Sequence, residues 1–400
     1  MKKILQGTFI WFIATLFVVY AFFLNTAGAV FSDTIKSFLH ASDIGVAYAV
    51  GSFIAGFACM QIPAGYLLDR YNIRFVVGSG LFLLALGNLT LSFSTNLFLF
   101  SLSNFIQGIG ASFAFLAAAK LTSQWFSAKM FPILFGLTQS FSCILAAIIH
   151  YYLVLALQTL TWQAIYQELA ICGFILLCFS LIFISSPPTT ELNKPLSLKK
   201  SLSLVLKNKQ IWLCALSAAT SFGVLSAYAS FWYMDVEKFY SVKTTDALIM
   251  SGLIFTGIGV GTPLLGWLSN RFKSRKLIIH VTLVLGTMFL LLGIYLPHFD
   301  IDTYIIIRIV AFFTGFLLSG SMLYYTCASE LATNSIRAVA LGVINTFVFL
   351  FNSLLLFLPQ FFITKASPTF LTYLWVLPFC LLISILLTYF VKETFDSSSV

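Results

Sequence analysis

Two short charged segments hold the residue types most able to do chemistry in this chain. Gly65, Asp69, Arg70 and Arg74 stand in the first, and Gly266, Asn270, Arg271 and Arg275 in the second, every position 201 residues further on. A proline precedes each segment, Pro63 and Pro263. A carboxylate in such a turn can accept hydrogen bonds from a neighbouring helix start, where unpaired N–H groups and the positive end of the dipole favour an anion. The glycine lets two helices approach closely. The arginines favour the cytoplasmic side of a membrane. A matched pair of turns is an internal repeat, and a repeat constrains the whole fold.

Other polar groups sit inside apolar runs, where a charge is costly unless it is paired or faces water. Arg308 is one such group. Its planar guanidinium suits a carboxylate or phosphate, an ion pair between helices, or the outer surface by snorkelling. Glu168 and His150 fall near the same end of adjacent runs. A carboxylate and an imidazole there can exchange protons, or form an interfacial pair that never titrates. The amides and aromatics Asn25, Asn104, Gln107, Gln139, Tyr228, Trp232, Asn345 and Asn352 are candidates to bind a solute or to bond helix to helix.

These residues need a scaffold, and composition dictates its kind. Sixty per cent of the 400 residues are hydrophobic and 9% are charged, against about a quarter charged in soluble domains. The chain is therefore an integral membrane protein. Its net charge of +9 follows membrane topology rather than a nucleic-acid motif. The seven cysteines show no CxxC pair, so packing is favoured over disulfides or zinc. There is no Walker sequence and no catalytic constellation, so no enzyme and no cofactor are expected. Gly257-Ile258-Gly259-Val260-Gly261 lies in an apolar run without a βαβ context and reads as helix packing.

A run of about twenty apolar residues crosses the hydrocarbon core as a helix. That rule places twelve spans near 6–28, 44–67, 75–94, 97–119, 131–155, 164–184, 210–233, 247–268, 277–296, 303–326, 338–362 and 369–391. The first is too long for a signal-peptide core and reads as an uncleaved helix. Lysines and arginines then number seventeen on the N-terminal side of the membrane and four on the other, with Arg308 inside a span. That bias puts both termini in the cytoplasm. Residues 185–209, with three prolines and five lysines, read as a linker between bundles at 1–184 and 210–400. Its leucines could form a surface helix on anionic lipid, or the segment is a solvated connector. Trp11, Trp162, Trp212 and Trp267 stand near span boundaries, where indoles anchor.

The turn Gly65-Tyr66-Leu67-Leu68-Asp69-Arg70-Tyr71-Asn72-Ile73-Arg74 and its weaker copy Gly266-Trp267-Leu268-Ser269-Asn270-Arg271-Phe272-Lys273-Ser274-Arg275 resemble the signature loops of the major facilitator superfamily. Asn72 and Lys273 stand where that family usually has glycine; asparagine tolerates a left-handed backbone better than lysine. Asn104-Phe105-Ile106-Gln107-Gly108-Ile109-Gly110-Ala111-Ser112 looks like its fourth-helix motif, with Asn104 in place of arginine. Ser329-Glu330 through Arg337 and Gly342-Val343-Ile344-Asn345 form a third such patch. The 20–29 region and Lys120 to Phe126 look most like the phagosomal nutrient transporters of intracellular bacteria.

The resemblance implies an all-α membrane protein of two pseudo-symmetric six-helix bundles that rock about a midplane cavity. Asp69 would cap the eleventh span near Asn334-Ser335 and close the inner gate. Asn270 would do the same, more weakly, at the fifth. Spans 1, 4, 7 and 10 would line the cavity. Antiporters of the superfamily commonly carry a Gly-Pro motif in the fifth span, and the stretch from Gly136 to Ala147 has no proline. The expected activity is proton-coupled import of a small polar nutrient, such as an amino acid, by a monomer in a bacterial inner membrane. The alternatives are siderophore or drug export, and a sensor that keeps the fold without transport.

Overall fold

The computed structural model describes residues 2–187, 196–229, 244–296, 304–357 and 375–395. Among them ten helices are long and apolar enough to cross a membrane, and two more apolar helices are shorter. In chain order they are α1 (Lys2–Val30), α2 (Ser32–Leu39), α3 (Asp43–Arg70), α4 (Ile73–Ser92), α5 (Leu97–Trp125), α6 (Phe131–Ala156) and α7 (Trp162–Phe183). Then come α8 (Leu198–Lys207), α9 (Lys209–Ala218), α10 (Thr244–Arg271), α11 (Arg275–Tyr295), α12 (Tyr304–Leu318), α13 (Leu323–Leu331), α14 (Arg337–Phe357) and α15 (Val376–Phe390). A π-helical turn, Ala219–Gly223, carries the path of α9 on to Ala229. A 3-10 turn, Ser319–Met322, joins α12 to α13.

Polar residues start several of these helices. Asn72, Asn96, Thr161, Asn208 and Ser274 each turn a side-chain oxygen onto an N–H of the following first turn. Such caps satisfy donors that a helix leaves open. In lipid the need is stronger, because no water replaces a missing partner. Asn72 does so with an ordinary φ of −60°, so the first turn does not use the left-handed backbone its asparagine would tolerate. Of the two loops, the second holds a left-handed residue, Lys273, with φ 52°, at a cost of about 1–2 kcal/mol for a side chain with a Cβ.

The chain forms two compact units. One comprises Met1–Ser127, Phe141–Leu202 and Asn334–Gly342. The other comprises Ala128–Ser140, Ser203–Thr333 and Val343–Val400. In the first, α3 and α5 meet backbone to backbone: a Cβ on Gly56 would lie 2.2 Å from Phe105 O. In the second, α10 and α12 repeat that contact, and a Cβ on Gly257 would lie 2.2 Å from Phe312 O. The glycine-rich run of α10 therefore serves packing.

Two boundary tryptophans are buried rather than set at the membrane surface, Trp11 at 8% exposed and Trp162 more deeply. Trp162 is 2% exposed. Its ring packs against Phe38, Phe100 and Tyr166.

Candidate functional site

In the first unit, the loop between α3 and α4 is tied down by Asp69. Its Oδ1 lies 2.7 Å from Lys120 Nζ of α5. The same oxygen accepts from Ala338 N at 3.2 Å, and Oδ2 accepts from Val339 N at 3.0 Å. Both donors belong to the first turn of α14, where an anion is favoured by the open N–H groups and the dipole. Lys120 also donates to Leu68 O at 2.7 Å. The carboxylate side chain is 2% exposed and the lysine 7%. A charge so buried is tolerable only when paired and hydrogen-bonded. Close approach makes this possible: a Cβ on Gly65 would lie 2.5 Å from Ala338 O.

Arg74 leaves the carboxylate alone. Its Nε donates to Ile184 O at 2.8 Å, and Trp125 Nε1 donates to Ser185 O at 2.8 Å. The segment after α7 is thereby fixed to the elbow. Arg70 is exposed, stacks near the Tyr66 and Tyr71 rings and bonds Tyr66 Oη at 2.5 Å.

In the second unit the corresponding loop, between α10 and α11, is wired differently. Asn270 donates through Nδ2 to Lys129 O at 2.6 Å, just before α6. Its Oδ1 accepts from Arg275 Nη1 at 2.6 Å. An amide has only two donors and one oxygen, and here the oxygen is taken by Arg275. Asn270 thus reaches a carbonyl ahead of the helix instead of its first N–H groups. Arg275 is 1% exposed. It also bonds Ser269 Oγ at 2.6 Å and pairs with Glu330 at 3.0 Å. Arg271 is exposed. A Cβ on Gly266 would lie 2.7 Å from Pro132 O.

The segment after α15 completes this elbow. Glu393 accepts from Arg275 N at 2.9 Å, Lys276 N at 3.1 Å and Ser274 Oγ. Thr394 donates to Glu330 Oε2 at 2.5 Å, and the Phe395 ring lies 5.1 Å from the Arg275 guanidinium. Partial burial alone would raise the Glu393 carboxyl. The hydrogen bonds from Ser274 and from the backbone of Arg275, Phe395 and Lys276 outweigh it and hold the group below its ordinary value. Sequence reasoning missed Glu393 because its partners lie more than a hundred residues earlier.

The candidate solute-binding residues scatter. Asn104 is buried and bonds back to Phe100 O at 3.0 Å. Gln107 is buried, with its Cγ where a Cβ on Gly87 of α4 would sit, 2.4 Å away. Asn345 accepts from Tyr325 Oη at 2.8 Å and joins α14 to α13. Gln139 and Tyr228 are buried, and Asn25 and Asn352 are half-buried. Arg308 is exposed on α12 in the same turns as Ile305 and Ile309, which are also exposed. Glu168 is exposed on α7. Trp232 and the side chain of His150 lie outside the described residues. Among the described residues no group of His, Cys, Asp and Glu could hold a metal ion.

Paired elbows on a duplicated set of membrane-spanning helices define a class, and the sequence match agrees. The chain belongs to the Major Facilitator Superfamily, whose family model matches residues 12–356. Its fold is that of the superfamily's proton:xylose symporter XylE, with a TM-score of 0.74 at 14% identity over 100% of this chain and 99% of that one. The fucose:proton symporter FucP of E. coli is similar at a TM-score of 0.72 and 14% identity, over 96% and 98%. The architecture is thus the all-α, twelve-helix one. Curated relatives include the uncharacterized transporter YybO of Bacillus subtilis, 25% identical over 66% of this chain; the match spans 57% of YybO. The membrane sensor protein UhpC of Salmonella typhimurium is 24% identical over 78% of this chain and 75% of its own length. A probable hexose phosphate transport protein of Chlamydia muridarum is 24% identical over 77% and 72%. The chain is a multi-pass membrane protein of this superfamily.

Proposed function

We propose that this protein is a secondary active, proton-coupled importer of a small organic anion in a bacterial inner membrane, acting as a monomer. Its halves, 1–184 and 210–400, alternate access to a central cavity, and residues 185–209 link them. The elbows at Asp69 and Asn270 are its cytoplasmic gates. One observation carries the reading. Asp69 grips the start of α14, 269 and 270 residues away in sequence, by bonds that can break and re-form without refolding either helix.

For the solute, a phosphorylated sugar is favoured over an amino acid. The probable hexose phosphate transport protein supports this by its name. Arg308, exposed on α12 beside Ile305 and Ile309, adds nothing to it. Siderophore or drug export has no such support. The second reading is a sensor, since one relative of similar identity is named as one.

Right-side-out vesicles carrying the protein, given labelled glucose 6-phosphate and an inward proton gradient, test both. Accumulation that vanishes when the gradient is collapsed is the expected result. Binding without flux would favour the sensor. Accumulation only in inverted vesicles would reverse the direction, and neither binding nor flux would remove this substrate class.

A further inference from the structure

The π-helical turn Ala219–Gly223 has no proline to force it. A π turn holds one residue more than an α turn and interrupts the regular carbonyl-to-N–H ladder. Ser217 O lies at the entry to this turn. It accepts from Ser221 Oγ at 2.5 Å and from Ser384 Oγ of α15 at 2.9 Å. The Ser384 hydroxyl is set in place by its neighbours. It lies 3.4 Å from Tyr324 Oη of α13, and that oxygen lies 2.5 Å from Thr388 Oγ1. Ser217, Ser221, Ser384, Thr388 and Tyr324 are all fully buried. All belong to the second unit. The spot is therefore polar, fully buried and held by one hydroxyl from another helix.

We propose that Ser384 is a positioning residue that holds the seventh span in its π form, and that releasing the Ser384–Ser217 bond lets the turn relax to α-helix. Relaxation removes the extra residue from the turn. The segment beyond it then rotates by about 100° and shifts by about 1.5 Å relative to α9. Leu225 and Tyr228, both fully buried, lie on that segment and would change neighbours. The transport consequence rests on the proposed alternating access; the hinge itself does not.

Cryo-electron microscopy of the full-length Ser384→Ala protein reads the hinge directly. The expected result is a continuous α-helix through 219–223; an intact π turn would overturn the proposal. Uptake gives an independent arm through a double-mutant cycle. Ser384→Ala should cut uptake by about tenfold in the parent, but by less than about twofold in a variant with Ala219 deleted, where there is no extra residue to release. Equal losses in both backgrounds would show that Ser384 acts by another route. Ser384→Thr keeps the donor and should retain both the turn and the uptake. If Ser384→Ala does not fold, loss of the turn in Ser384→Thr overturns the proposal by itself. A parent protein with no flux would fail the transport reading and leave the microscopy as the deciding result.

Discussion

At the first elbow a single carboxylate does two tasks: Asp69 pairs with Lys120 and caps the start of α14. At the second elbow those tasks are divided. Asn270 reaches Lys129 O, while the carboxylates come from Glu330 on α13 and Glu393 after α15. The segments that follow α7 and α15 differ in the same way. After α7, backbone carbonyls at Ile184 and Ser185 accept from Arg74 and Trp125. After α15, the side chain of Glu393 accepts from backbone N–H groups. What is held in common is therefore the place of each tie at a helix start. The residue that makes the tie is free to change, provided that the buried charge is balanced.

The largest test of this difference removes the cation at the first elbow. Lys120→Leu leaves Asp69 buried with only backbone donors, and should cost about 3–5 kcal/mol of stability. Adding Asp69→Asn removes the second charge and should restore at least about 1 kcal/mol of that loss. Thermal unfolding of the purified protein in detergent reads both. A double variant less stable than Lys120→Leu would mean that Asp69 is held chiefly by α14. Uptake should fall in every variant of the pair, since the cap on α14 weakens with the charge.

A smaller effect is expected from making the second elbow look like the first. If the motif alone mattered, Asn270→Asp would strengthen the gate. The geometry says otherwise. The aspartate has no donor for Lys129 O and would set a carboxylate against that carbonyl, while Arg275 already has Glu330. A loss of about 1 kcal/mol is expected, read in the same melting experiment. A gain in stability would show that Arg275 turns to the new carboxylate and that the two elbows are interchangeable.

The spans were legible in the sequence because a long apolar run has little choice but to cross lipid as a helix. The two elbows were legible because residue types recur at one offset. Their partners were not. Lys120 reads as one more basic residue near a span end, yet it lies on α5 and is 6% exposed. Asp69 meets Ala338 and Val339, a turn beyond the Asn334-Ser335 position expected for the cap. Helix periodicity also fails to separate lipid from protein neighbours, since both are apolar. That is why Trp162 reads as an anchor but is packed inside the first unit, and why Gln107, a candidate for the solute, abuts Gly87.

The smallest effect concerns Glu393, and its sign follows from its hydrogen bonds. Partial burial would raise the carboxyl, but Ser274 and the N–H groups of Arg275, Phe395 and Lys276 bring it below its ordinary value. A carboxyl lowered on folding contributes stability that is fully present above its unfolded value, about 4.3. That contribution is lost as pH falls from there through the lower folded value. Glu393→Gln removes the titration and keeps one oxygen acceptor. At pH 7 the variant should melt slightly below the parent, and the gap should close as the solution is acidified past the ordinary carboxylate range. Melting curves taken at steps from pH 7 to pH 3 measure this directly. If the gap instead stayed constant with pH, Glu393 would be acting through shape alone, and the division of charge between the two elbows would lose its second carboxylate.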